Sequence, residues 1–220
     1  MNNTILNLIK KSRIAVLAII TFSIVYTANC QMPVNDILTQ KAPEKFSARF
    51  ETTKGIFEIQ AERNLSPLAV DRLYQLIQSN YFADIPFYRA VKDFVVQFGS
   101  MDSTIDNEWS KHIIPDEPVK ASNTKGAMSF ARAGKETRGT QLFINLKDNS
   151  RLDTVSYGET LGFPVIARVT KGLDVIDSIY TGYKDAPREL IDSTVTDIPA
   201  FLKTKFPKLD YIIKASVIRE

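Results

Sequence analysis

The stretch from Phe87 to Gly99 sets one arginine, Arg89, among the aromatic side chains Phe87, Phe94 and Phe98, with an amide at Gln97. On an extended strand Phe87 and Arg89 share a face, and a turn near Lys92-Asp93 returns Phe94 and Gln97 beside them. A guanidinium held that way stays charged at any physiological pH and presents a rigid fork of hydrogen-bond donors. The chemistry within its reach is stabilisation by a fixed donor in a water-poor setting. Taken alone, Arg89 reads more ordinarily as a solvated strand residue.

Other constellations offer less. His112 is the only histidine, so a histidine-based metal cluster or catalytic triad has little to build on, and a surface or capping role is expected for it. Asp102, Asp106 and Glu108 read as a solvated acidic loop rather than a cation site. Gly-rich phosphate loops are absent. No metal and no cofactor are expected.

The elements that must position Arg89 read mainly as β. Phe46, Ala48 and Phe50 alternate with polar residues, Lys54-Gly55 marks a turn, and Ile56 to Gln60 returns, which is a hairpin. Ser66-Pro67 opens a helix, with Ser66 as N-cap and Val70, Leu73, Tyr74 and Ile77 as its apolar stripe; Asn80 stops it. Short β-branched and aromatic runs follow at 86–91, 94–98, 127–131, 141–145 and 165–169, with a second helix around 173–180 and a last strand at 211–218. Many short strands with few helices suggest a closed β-barrel with helical caps.

At 220 residues and 44% hydrophobic, the chain has material for one sizeable core. The net charge of +3 is matched by Lys10, Lys11 and Arg13, because the first 29 residues hold no Asp or Glu. The remainder is formally neutral, which leaves no basic stripe for a nucleic-acid backbone. Those three cations precede the apolar run Ile14 to Val25 and the small or polar residues before Cys30, the layout of a secretory signal. The run is shorter than the roughly 20 residues a permanent bilayer helix needs. Residues 1–29 are therefore expected to be a signal peptide, 30–45 a Pro-containing tether and 46–220 the folded domain. Thr27-Ala-Asn-Cys30 is similar to a bacterial lipobox, which implies lipidation at Cys30. The destination expected is the periplasm or cell envelope, with the chain anchored to a membrane as a lipoprotein and otherwise monomeric.

Two further segments bear on Arg89. Gly126 to Gly134 and Thr137 to Asn145, followed by Asp148-Asn-Ser-Arg-Leu-Asp153, resemble the signature of the cyclophilin-type peptidyl-prolyl cis-trans isomerases, as does the Phe-x-Arg…Phe…Gln pattern before them. The resemblance runs from about Phe46 to Glu220. It leans to a bacterial branch through Trp109, Asp116-Glu-Pro-Val119 and Ser122-Asn123. It implies an eight-stranded antiparallel closed β-barrel capped by two α-helices, with a groove on the outer face. It also implies that Arg89 is the catalytic guanidinium, Gln97 its orienting partner and Phe94 an adjoining wall. Val95, Leu142, Phe143, Phe163 and Ile166 would line the proline pocket, and Ala131, Arg132, Ala133 and Gln141 the path of the substrate backbone.

The substrates so implied are proline-containing polypeptides, exported or still folding. Where this chain departs from better-known members, Arg151 replaces a Trp that contacts cyclosporin, so weak cyclosporin binding is expected. Arg132, where an Asn is common, would add a cation that favours acidic residues near the proline. The alternative function is a non-catalytic proline- or peptide-binding scaffold; the pairing of Arg89 with Gln97 argues against it, since a binder needs neither.

Overall fold

Strand β1 (Lys45–Thr52) buries every second side chain, Phe46, Ala48, Phe50 and Thr52, as a period of two requires. It pairs antiparallel with β2 (Gly55–Glu62) through a two-residue turn at Thr53 and Lys54. Gly55 leaves that turn at φ +132°, a conformation that side-chain-bearing residues rarely adopt. Phe50 and Phe57 face each other across the pair with rings stacked 4.8 Å apart.

The computed structural model describes residues 31–219 apart from Gly158 and Ser193. Residues 1–29, expected from sequence to be a signal peptide, and Cys30 lie outside the described residues. From Gln31 onward the chain forms one compact unit. Beyond the hairpin the strands are β3 (Ile85–Pro86), β4 (Arg89–Val91), β5 (Val95–Phe98), β6 (Ala127–Phe130), β7 (Leu142–Asn145), β10 (Val165–Lys171) and β11 (Tyr211–Arg219). They join one nine-stranded sheet in the order β3-β11-β1-β2-β10-β6-β7-β5-β4, while β8 (Ser156–Tyr157) and β9 (Thr160–Leu161) form a separate ribbon.

The two edge strands, β3 and β4, follow each other in the chain with only Phe87 and Tyr88 between them. The sheet therefore curls until its edges meet at a covalent link rather than along a ladder of hydrogen bonds. Taken as one strand bent at Phe87, β3 and β4 turn the nine hydrogen-bonded strands into the expected eight. The interior is filled by Phe46, Phe50, Phe57, Phe82, Phe87, Phe98 and Phe130 with aliphatic neighbours. Helix α2 (Pro67–Gln78) lays Ala69, Val70, Leu73, Leu76 and Ile77 onto that core.

Three expectations change. Ser66 does not cap α2 with its side chain; the carboxylate of Glu117 accepts from the amides of Leu68 at 2.9 Å and Ala69 at 3.2 Å and from the Ser66 hydroxyl. A carboxylate there also meets the positive end of the helix dipole. The second helix, α4 (Leu173–Asp177), is shorter than expected, and helices α1 (Asn35–Leu38), α3 (Ser103–Ser110), α5 (Ala186–Glu189) and α6 (Ile198–Lys205) stand where no periodicity announced them. The segment read as a tether is fastened to the barrel. Gln75 Nε2 donates to the carbonyls of Leu38 and Gln40, Asp71 accepts from the Ala42 amide at 2.8 Å, and Trp109 Nε1 donates to the Gln31 carbonyl at 2.7 Å. Side chain to backbone bonds of this kind leave no period in a sequence.

Candidate active site

Arg89 on β4 and Gln97 on β5 are direct cross-strand partners, and Gln97 is in turn opposite Phe143 on β7. The three side chains thus form a row on the outer face, while Ala90, Val96 and Phe98 point inward. The turn between β4 and β5 is tight because Asp93 takes a left-handed φ of 55° and the Phe94 amide donates to Val91 at 3.1 Å. Arg89 Nη1 donates to Gln97 Oε1 at 3.4 Å, and the guanidinium carbon lies 5.5 Å from the centre of the Phe94 ring. Its Nε donates to Asp185, at the start of α5.

Beside the row stands an apolar cluster separate from the barrel interior: Val95, Phe143 and Leu152 are buried, with Phe94, Ala131, Val155 and Phe163 packed against them. Phe143 and Phe163 meet edge to face at 5.6 Å. Phe94 is held from behind, since Asn149 Nδ2 donates to its carbonyl at 2.8 Å and to Asn145 Oδ1 at 2.9 Å. Asn145 and Ser129 donate to Asn123, which donates to Asp153. Burial works to raise the Asp153 carboxyl, but hydrogen bonds from Ser122 and Asn123 hold it below the usual carboxylate range. This polar network is why that part of the sequence is rich in asparagine.

Together these side chains wall a groove of about 550 Å³. It is lined by Arg89, Phe94, Val95, Gln97, Ala131, Arg132, Ala133, Gln141, Phe143 and Phe163, all named from sequence, and also by Tyr88, Met101, Asp106, Thr137, Leu152 and Arg188. Leu142 and Ile166 do not belong to it. Both are wholly buried in the barrel interior, because Leu142 neighbours Phe143 on one strand and adjacent strand residues face opposite sides.

Arg132 lines the groove but offers no free cation. Its side chain is 0% exposed, Nη1 lies 3.4 Å from Asp116, Nη2 donates to the Gly162 carbonyl, and its Cζ sits 5.0 Å from the Phe163 ring centre. A buried guanidinium must find such partners. The idea that Arg132 attracts acidic substrate residues is set aside on this geometry. The guanidinium carbon of Arg151 lies over the Phe94 ring, 4.7 Å from its centre.

At the other end, Gln141 Nε2 donates to the Ser100 carbonyl at 2.7 Å and to Asp106 Oδ2 at 2.9 Å. Gly99 permits this close approach, since a Cβ there would stand 2.1 Å from Gln141 Oε1. Asp106 is not in a solvated loop as its sequence neighbours suggested. It sits on α3, whose N-cap is Asp102, and accepts from Thr140 Oγ1 at 2.6 Å. Burial pushes its carboxyl up to about 6. His112 serves through its backbone, its carbonyl accepting from Arg72 at 2.6 Å. Among the described residues, no group of three or more His, Cys, Asp or Glu is placed to hold a metal ion.

The family profile described as "Cyclophilin type peptidyl-prolyl cis-trans isomerase/CLD" matches residues 47–198. A peptidyl-prolyl cis-trans isomerase from Acinetobacter baylyi is 28% identical over 131 residues, covering 59% of this chain and 69% of the relative. Peptidyl-prolyl cis-trans isomerase-like 3 from Dictyostelium discoideum is 28% identical over 158 residues, covering 68% of this chain and 94% of the relative. Of a peptidyl-prolyl cis-trans isomerase-like 2 from Rhizopus delemar, also 28% identical, the chain spans 32%. Among solved structures, a cyclophilin-type isomerase from Cryptosporidium parvum superposes with a TM-score of 0.57 at 17% identity, over 80% of this chain and 99% of that one. A cyclophilin from Hirschia baltica does so with a TM-score of 0.55 at 16% identity, over 81% and 76%. Those two likenesses carry the fold, and the profile match across most of the barrel carries the lineage: the chain belongs to the cyclophilin-type peptidyl-prolyl cis-trans isomerases.

Proposed function

We propose that the outer groove accelerates rotation about X-Pro bonds by donating from Arg89 to a twisted amide. Rotation must break amide resonance across a barrier of about 18–20 kcal/mol. No bond is cleaved, so no nucleophile or general base is needed. What is needed is an environment that binds the twisted amide better than either planar isomer. Twisting localises the lone pair on the prolyl nitrogen, where a guanidinium hydrogen bond becomes strong only at the transition state.

The observation that carries this reading is the row of Arg89, Gln97 and Phe143 beside an apolar cluster of its own. Phe94, Val95, Phe143, Leu152 and Phe163 hold the proline ring and keep water from stabilising the planar amide. Gln97 and Asp185 fix the guanidinium, leaving the rest of its fork for the substrate. Ala131, Ala133 and Gln141 flank the path of the peptide backbone. A Cryptosporidium parvum cyclophilin-type isomerase was solved in the presence of the dipeptide Ala-Pro, a ligand of the size such a pocket accepts.

The test is an exchange measurement by NMR on a short X-Pro peptide with the purified protein at micromolar concentration. Acceleration over the thermal rate is expected. Binding without acceleration overturns the catalytic reading in favour of a peptide scaffold. We further propose that residues 1–29 direct export, that Cys30 carries a lipid and that the clients are exported or folding polypeptides. Detergent phase partitioning of the full chain and of Cys30→Ser checks the anchor, which is refuted if the two partition alike.

A further inference from the structure

The charged side chains of the groove wall differ in one respect. Arg89 is opposed by Asp185, and Arg132 by Asp116. Asp106 has no cation in ion-pair range among the described residues; its two oxygens are met only by the neutral donors Thr140 Oγ1 at 2.6 Å and Gln141 Nε2 at 2.9 Å. One end of the groove thus holds a partly buried negative charge with neutral hydrogen bonds and no counter-ion. Removing a carboxylate from water without a counter-ion is unfavourable, and an entering ammonium or guanidinium would recover much of that cost.

From these contacts we propose that Asp106 selects X-Pro segments carrying a lysine or arginine close to the proline. The inference rests on the groove being the peptide site and names the substrate class that site prefers. Gln141, which lines the groove along the path of the peptide backbone, donates to Asp106, so the selecting carboxylate adjoins that path. A cation bound here lies on the same peptide whose proline ring enters the apolar pocket.

The surroundings set the pH behaviour. Asp106 is faced by Asp102 from its own helix and by the phenols of Tyr81 and Tyr88, whose titration burial places above the ordinary tyrosine range. Arg188, exposed on α5, lines the same groove without an ion pair to Asp106. With its carboxyl raised to about 6 by burial, Asp106 is ionised at pH 7.5 and mostly neutral at pH 5.

The experiment is a panel of short peptides with Lys, Ala or Glu at each position flanking one X-Pro pair, their dissociation constants measured by NMR titration. At one position the Lys peptide should bind about fivefold or more tighter than the Glu peptide, the scale of a partly shielded ion pair. That ratio should fall near one in Asp106→Asn, which keeps the size and an oxygen acceptor, and also in the unmodified protein at pH 5. A flat panel, or a lysine preference that survives Asp106→Asn in a variant with unchanged thermal unfolding, overturns the proposal. Because the readout is affinity, it stands apart from the isomerase reading, which fails only if none of the panel isomerises above the thermal rate.

Discussion

Asp185 accepts a hydrogen bond from Nε of Arg89 across 96 residues of chain. The acid arrives on the segment after α4, where the Ala90 amide donates to the Lys184 carbonyl at 3.4 Å and bridges that segment to the edge strand β4. A cluster of Leu202, Phe206 and Leu209, with Tyr183, Ala186 and Ile198 packed against it, supports the same region. The guanidinium is thereby gripped from two sides, by Gln97 along the sheet and by Asp185 from outside it.

Loss of that outer grip should blunt the donor without disturbing the barrel. Asp185→Ala is expected to lower kcat by about tenfold with KM little changed, the scale of one orienting hydrogen bond to a charged group. Asp185→Glu should recover part of the loss. Stability should move by less than about 1 kcal/mol, since the pair is partly exposed. Peptide kinetics beside urea unfolding decide the matter; an unchanged kcat would mean Asp185 does not position Arg89.

Arg89 itself admits a sharper contrast. Arg89→Ala should reduce the rate by about 100-fold or more, as removal of a transition-state donor does elsewhere. Arg89→Lys should remain close to the alanine variant, because a point charge cannot reach Gln97, Asp185 and the substrate at once. The exchange assay, with circular dichroism to verify folding, reads both; a fully active lysine variant would contradict the role given to the fork.

Asp106 should also appear in the pH dependence of stability. An acid whose carboxyl is raised in the folded state, here to about 6, binds more protons folded than unfolded between about pH 4 and pH 6. Its contribution is therefore fully present below about pH 4 and is lost as pH rises through 6. A rise of about two pH units, at about 1.4 kcal/mol each, sets the upper bound of the loss at about 3 kcal/mol. Asp106→Asn should flatten that part of the profile, measured as urea unfolding at several pH values; an identical slope would show that the carboxyl is not raised.

Glu117 is expected to matter for folding alone. It caps α2 and lies 3.3 Å from Nη2 of the buried Arg138. Glu117→Ala should cost about 2–3 kcal/mol by removing the cap of α2 and one of the two carboxylates beside Arg138, which keeps Asp116 at 3.5 Å, seen as a lower urea midpoint with kcat retained in the folded fraction.

In the barrel interior, Phe57→Ala removes a wholly buried ring stacked on Phe50. A loss of about 3–5 kcal/mol is expected, again read by urea unfolding; a loss under 1 kcal/mol would mean the stack is not part of the folded core.

What the sequence determined by itself is local. Alternation from Phe46 to Phe50 marked a strand with one buried face, Lys54-Gly55 the turn after it, and Ser66-Pro67 the start of α2, because each depends on neighbours within a few residues. Arg89 and Gln97 were also legible, since a tight turn between two short strands sets their pairing. Tertiary structure decided the rest. Leu142 and Ile166 went inward because the curvature of the closed sheet assigns each strand its inner face. Asp106, Leu152 and Arg188 joined the groove, and Asp185 reached Arg89, from segments distant in the chain. Whether a given arginine or aspartate stands free or opposed depends on which side chains the fold brings to it. Arg132, read as a free cation, is opposed by Asp116; Asp106, read as solvated, is partly buried without a cation. Charge pairing and burial are properties of through-space neighbours, and a linear pattern does not carry them.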